Sequence, residues 1–415
     1  MKKLFSNKLL IVFVLLLLAF FPSALSKKSM SNNNAIVIAV GVDKKEKEYT
    51  LSFQVVIPKQ DNSYRESLLV LSASGENLYD TYRQAETQIG KRIAFRHCQY
   101  IIINEELAKS ENIATTLDFL VRNRDISNSC ILLCTDKSAN EIMSLDSKTE
   151  SSINIGVIEL LEYYEKKYFV YDTNLENFVT GAYSPRKCGL MTFISSSDKI
   201  ENGIGTSAES GASGGGEGGG ASGGSGEQSS QQKQQYLSFD GRVVVFKDAK
   251  YNGIFSTEDL LSLNWFNSSS GFADKFIVEG VTDELYTNAK IGFELLDKKS
   301  KIKAYFEGDT PVLSLEVDCK IIIEDVENAV QDKVVLQSGK YALTSGLNSK
   351  IQQKIYNDAI AVFKKMINFE SDIVDVYSKF NKYNHKKFQK YLSSLNDDEF
   401  YLSKVKLVVK TSVKT

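Results

Sequence analysis

Apolar residues recur along this chain with two different periods, and the switches between them predict its elements. Ala35–Val42 and Tyr49–Ile57 predict two strands, with Asp43–Glu48 turning between them, and Leu68–Leu71 predicts a third. Ser74-Gly75 then opens a helix whose apolar face is Leu78, Tyr82, Ala85 and Ile89. Tyr100–Ile103 reads as a strand, Ile113, Leu117 and Leu120 as a helix face, and Cys130–Cys134 as a buried strand. Ser138 and Glu141 have the spacing of a capping box for a short helix. Ile153, Val157, Leu161 and Tyr164 predict one helix more.

The second half carries longer elements. Val243–Phe246 predicts a strand, Asn252-Gly253 a hairpin turn, and Ser256 the cap of a helix with Leu260, Leu261 and Leu263, ending near Trp265. Ile291, Phe293 and Leu295 alternate with other residues, as do Ile302, Ala304 and Phe306. The longest alternation sets Leu313, Leu315, Val317, Cys319, Ile321 and Ile323 against Ser314, Glu316, Asp318 and Lys320. That pattern is a half-buried antiparallel strand with one wet face. A long helix follows, with Ile351, Ile355, Ala359, Phe363 and Met366 inward. Val405, Leu407 and Val409 close the chain as a strand whose lysines, Lys404, Lys406 and Lys410, protect an edge.

One stretch has neither period. Gly211–Gly226 is nearly all Gly and Ser, and the segment 201–235 reads as a flexible linker that buries nothing. Its two G-x-S-x-G matches, at Ser213 and Ser222, lack the flanking strand and helix of a nucleophile elbow. The patterns divide the chain into an N-terminal α+β region at 27–200, the linker at 201–235, a small middle segment at 236–280 and a C-terminal α+β region at 281–415. The fold class they predict is α+β, with largely antiparallel or mixed sheets packed by helices.

Residues 1–26 read as a secretory signal. Lys2, Lys3 and Lys8 precede an apolar run from Leu9 to Phe21, and Ala24 and Ser26 are the small residues a signal peptidase inspects. The run is 13 residues long, short of the roughly 20 that span a bilayer comfortably. Cleavage after Ser26 is expected; an uncleaved signal anchor is the alternative. Both place the remainder outside the cytoplasm.

Composition adds exclusions. With 42% hydrophobic and 25% charged residues the chain is globular in type, and its net charge of -2 gives no electrostatic case for nucleic acid. Five cysteines leave an odd thiol, and no disulfide framework is visible. Cys130 and Cys134, about 13 Å apart along a strand, are too far apart to bridge. The two histidines, His97 and His385, lie in no metal-binding or catalytic motif. The acidic pairs Glu105-Glu106 and Asp397-Asp398 are ordinary for helix ends and loops. Lys379, Lys382, Lys386, Lys387 and Lys390 are either a contact for anionic lipid or a solvated face interleaved with the core aromatics Phe380, Tyr383 and Phe388. No catalytic, cofactor-binding or metal-ligating set emerges.

Several segments, taken in order, resemble the Ger(x)C family, the C subunits of nutrient germinant receptors in endospore-forming bacteria. They are Ala35–Lys44, Phe95-Arg96-His97 running into Tyr100–Lys109, Leu117–Asn123, Val243–Asp248, Tyr251-Asn252-Gly253 and the Trp265 region. The resemblance covers most of the chain after the signal. It implies a three-domain α+β protein, lipid-anchored on the outer face of the inner spore membrane. Such a protein works with two integral-membrane subunits in responding to nutrients, and the family supplies no catalytic residues to carry over. The family's lipobox cysteine has no counterpart before Cys98, so an anchor by that route is not expected. The function expected is a non-enzymatic receptor subunit acting through protein contacts, without a cofactor. The alternative is a stand-alone exported solute- or cell-wall-binding protein derived from the same family.

Overall fold

The computed structural model describes residues 34–57, 67–122, 126–145, 157, 173–197, 236–239, 241–267, 275–329, 341 and 343–415. The expected signal and cleavage residues Ala24 and Ser26, the Gly/Ser segment and most of the helix around Leu161 lie outside these residues. Val157 of that helix is described; it is helical and buried.

The first sheet is built around uninterrupted apolar strands. β1 (Asn34–Lys45), β5 (Tyr100–Asn104), β6 (Ile131–Thr135) and β7 (Gly189–Ser197) run parallel to one another at its centre. Tyr100, Ile101, Ile102 and Ile103 are all fully buried, as strands covered on both faces must be. One cover consists of α1 (Leu78–Ile89), α2 (Glu105–Ser110), α3 (Ala114–Val121) and α5 (Leu175–Ala182), the other of α4 (Ala139–Met143) and Val157. Antiparallel strands extend the sheet at both ends. β2 (Glu48–Ile57) and β3 (Ser67–Gly75) follow β1 on one side. β9 (Val243–Lys247) and β10 (Lys250–Phe255) follow β7 on the other. The order is β10-β9-β7-β6-β5-β1-β2-β3; β4 (Arg92–Ala94) pairs with β1 and β8 (Tyr236–Ser238) with β7.

Two sequence expectations shift here. β3 runs through to Gly75, so Asn77 rather than Ser74 starts α1, accepting from Asp80 N at 2.9 Å. The β9–β10 turn falls at Asp248-Ala249, both left-handed with φ of 50° and 59°, and not at Asn252-Gly253. Gly253 lies inside β10 next to a register shift; a Cβ there would sit 2.5 Å from the Phe369 ring. Its glycine serves a close approach, which sequence cannot tell from a turn.

The second sheet has the order β11-β12-β13-β14, from β11 (Lys275–Val281), β12 (Tyr286–Glu307), β13 (Thr310–Ala329) and β14 (Lys406–Lys414). Its outer strand β14 pairs parallel to β13, with its lysines on an edge as the pattern predicts. β12 and β13 form a long hairpin closed by Gly308, whose φ of +64° suits a two-residue turn. A register shift between Leu295 and Asp297 switches the residues of β12 that face the core from odd- to even-numbered. Before it Ile291, Phe293 and Leu295 point inward; after it Lys298, Ser300 and Ala304 do. That shift puts Lys298 in the core, where its Nζ donates to the carbonyls of Asn264 and, at 3.0 Å, Asn267. Burial lowers its pKa to about 8.

One face of this sheet is covered by α7 (Ser345–Asn368) and α8 (Val376–Leu392). α6 (Thr257–Leu263), with a full Ser256–Asp259 capping box, packs against α7. The largest apolar cluster runs from these elements into the first sheet, taking in Leu190, Val243, Val245 and Phe255. The segment 236–280 is thereby divided: β8, β9 and β10 complete the first sheet, while β11 begins the second. The two sheets share a core.

Candidate functional site

Where the shared core reaches the surface, the turn between α7 and α8 lies against β7, β9 and β10. Phe369 leaves α7 and packs its ring on Gly253, 5.4 Å from the Phe255 ring centroid. Asn252 Nδ2 donates to the Phe369 carbonyl, and Lys247 pairs with Glu370. Arg186, just before β7, donates from Nε to Asp372 O at 3.3 Å and from a terminal nitrogen to Ile373 O at 3.4 Å. The Asp372 N–H donates back to Arg186 O at 3.2 Å. The contact is therefore apolar at its centre and hydrogen-bonded at both ends.

Asp372 organises the turn from inside. Its side chain is wholly buried, and its carboxylate accepts from Val376 N at 2.9 Å, Tyr377 N at 2.8 Å and the Tyr401 hydroxyl. Burial raises its pKa, while the Tyr401 hydroxyl and the two backbone donors pull it back down. Burial also raises the Tyr401 pKa, so that hydroxyl stays protonated and remains a donor. Asp375, left-handed at φ 57°, then caps α8. Three groups on α8 and its neighbour are thus held by one carboxylate, which fixes the angle at which the turn meets the first sheet.

The opposite end of the first sheet is open. The β1–β2 turn, the end of β3 and α1 enclose a polar cleft of about 1120 Å³, lined by Lys45, Glu48, Glu76, Asp80, Arg83 and Gln88 among others. Charges of both signs face it, so it suits a small zwitterion or a polar chain better than an apolar ligand. Behind it, Asp43 accepts from Ala139 N with both oxygens, at 2.9 and 3.1 Å. Burial lifts the Asp43 pKa to about 6.

All five cysteines are free and buried. Desolvation pushes Cys188 and Cys319 up to about 12 and Cys134 higher, which leaves thiols rather than thiolates. The Cys98 and Cys130 sulfurs are 3.7 Å apart, and that contact raises Cys130. His97 and His385 are exposed, His385 facing Asn381 Oδ1 at 2.8 Å. Glu105 pairs with Lys109 and accepts from the Tyr251 hydroxyl, while Asp397 and Asp398 are exposed. Among the described residues no group of three His, Cys, Asp or Glu is placed to hold a metal ion. Likewise no described helix is long and apolar enough to cross a membrane.

The fold and its contacts define a two-sheet α+β protein whose two sheets share one core. Two family models match it in order: a spore germination protein N-terminal domain over residues 28–196, and a spore germination B3/GerAC-like C-terminal domain over residues 241–415. This chain belongs to the Ger(x)C family of spore germination proteins. Spore germination protein KC of Bacillus subtilis (strain 168) is 26% identical over 170 residues, 39% of this chain and 42% of that protein. The putative spore germination protein YfkR of the same organism is 24% identical over 128 residues, 29% of this chain and 33% of that one. Both matches span less than half of the relative. The crystal structure of the GerBC protein is 16% identical, covers 90% of this chain and 96% of that one, and superposes with a TM-score of 0.47.

The residues of the inter-sheet contact leave no mark in the sequence pattern. Asp372 and Phe369 sit between two helices, where neither period applies, and Arg186 is in a loop. Only Asn252-Gly253 drew notice, for a turn it does not make.

Proposed function

We propose that this protein is a non-enzymatic subunit of a spore germinant receptor, acting through protein contacts at a membrane with two integral-membrane subunits. It works outside the cytoplasm, on the outer face of the inner spore membrane, after export by the signal that ends at Ala24 and Ser26. The observation that carries this reading is the ordered pair of family regions joined by the locked contact around Phe369 and Asp372. A subunit that relays a change from one partner to another needs such a contact, because close-packed elements move together.

Germination of spores lacking the gene, tested with single nutrients, examines the proposal. Loss of response to one nutrient class, restored by the intact gene, is the expected result. Normal germination with every nutrient would reject it. The polar cleft beside Arg83 supports a second reading, a stand-alone exported binding protein. Tight binding of a germinant by the purified protein alone would favour that reading.

A further inference from the structure

Helix α8 has a charge distribution found on no other described helix. It carries Lys379, Lys382, Lys386, Lys387 and Lys390, and no acidic residue occurs from Val376 to Asn396. On or beside other helices, three cations pair with an acid one turn away: Lys109 with Glu105, Arg122 with Asp118, Lys354 with Asp358. On α8, among the described residues, Lys390 alone reaches an acid, the highly exposed Asp309 at 3.7 Å.

The helix is fixed by its other face. Phe380, Phe388 and Tyr391 are buried against the sheet, and Asn384, which departs from helical geometry, donates to Ala304 O at 2.7 Å. Lys382, Lys386, Lys387 and Lys390 all point to solvent. Tyr383 stands among them 68% exposed, with Lys382 Nζ 5.3 Å from its ring centroid. The sequence pattern counts Tyr383 as core, and the structure places it outside.

We infer that this face of α8 is a docking surface for an anionic phospholipid bilayer, with Tyr383 at the level of the headgroups. The inference rests on the membrane reading above. Charge complementarity selects an anionic surface, and the residue types select lipid. A fixed carboxylate or phosphate on a protein is held best by the planar fork of arginine, and this face has none. Lysines on flexible stems neutralise a field of charges that has no fixed geometry, as headgroups do. An exposed aromatic ring amid such lysines is suited to the polar–apolar boundary of a bilayer.

The test is a lysine-reactivity footprint of the full chain, read by mass spectrometry, on vesicles of phosphatidylcholine alone or with about one-third phosphatidylglycerol. Lys382, Lys386, Lys387 and Lys390 are expected to label about threefold more slowly on the anionic vesicles only, with the protection lost near 0.5 M salt. Lys299, Lys301 and Lys303, on the far face of the sheet, serve as internal controls and stay unchanged. In vesicle co-sedimentation, replacing the four α8 lysines by glutamate removes binding to the anionic vesicles while keeping the melting temperature. Equal labelling on both vesicles, or equal protection of the control lysines, overturns the inference. Protection seen only in membranes that carry the other receptor subunits overturns it too, and assigns the face to a protein. A failed footprint beside a germination defect in the deletion strain removes the docking face and leaves the functional reading standing.

Discussion

At the β10 end of the first sheet, Phe369 fills the space a side chain on Gly253 would need, and Arg186 holds two carbonyls of the turn that follows. At the β3 end, Lys45, Asp80 and Arg83 line a cleft open to solvent. One end is built round the wholly buried Asp372, with its rim half-buried; the other is lined by charged side chains open to solvent. Packed groups at the first have no slack, whereas little would have to be desolvated for a molecule to enter the second. The same sheet therefore offers a fixed joint and an open surface, about seven strands apart.

The sharpest way to break the joint is Asp372→Ala. It strands two backbone N–H groups and the Tyr401 hydroxyl in a dry interior, and should cost about 4 kcal/mol in urea unfolding. A loss below about 1 kcal/mol would mean that the turn is held by something else. Gly253→Val comes next, at about 2–3 kcal/mol, because the new side chain overlaps the Phe369 ring. Combined with Phe369→Ala, the two losses should fall well short of additive, since the first clash disappears. Strict additivity would contradict the contact.

At the open end the comparison is sharpened by pH. Native Asp43 has its pKa raised to about 6, so the folded state keeps a proton that the unfolded state releases near pH 4. Its contribution therefore falls as pH rises from about 4 to about 6, by about 2 kcal/mol, and is constant above that. Asp43→Asn removes this slope, so melting-temperature curves of the two proteins should diverge over that window and run parallel above it. A constant offset across the range would count against the buried carboxylate.

The smallest effect is expected from deleting residues 210–230. Ser197 and Tyr236, on either side of the Gly/Ser stretch, are paired between β7 and β8. A shorter loop between fixed ends costs less closure entropy, so stability should rise by about 0.5 kcal/mol or remain level. A large fall in melting temperature would show that the stretch packs on the rest.

The elements of the second sheet were legible because they obey one period at a time. The alternation from Leu313 to Ile323 and the helical spacing from Ile351 to Met366 match β13 and α7 directly. The first sheet was legible as strands, from runs such as Tyr100–Ile103, but not in its order: an apolar run covered on both faces carries no sign of its neighbours. Parity switches within one strand, as at Leu295–Asp297, explain why Lys298 was not foreseen inside the core. The joint escaped notice for a different reason. Arg186, Gly253 and Asp372 lie up to 186 positions apart; Gly253 reads locally as a turn residue, and Arg186 and Asp372 fall outside any periodic segment.

β9 and β10 cross the family boundary: they lie beyond residue 241 yet complete the sheet of the first region. Urea unfolding followed at both places tests it directly. Trp265, the chain's single tryptophan, reports on the second core by fluorescence, and amide exchange at Tyr100–Ile103 reports on the first sheet. The account predicts one midpoint for both probes, in the wild type, with the two separating in Gly253→Val. Two separate midpoints in the wild type would mean that the regions fold independently and that the shared core does not couple them.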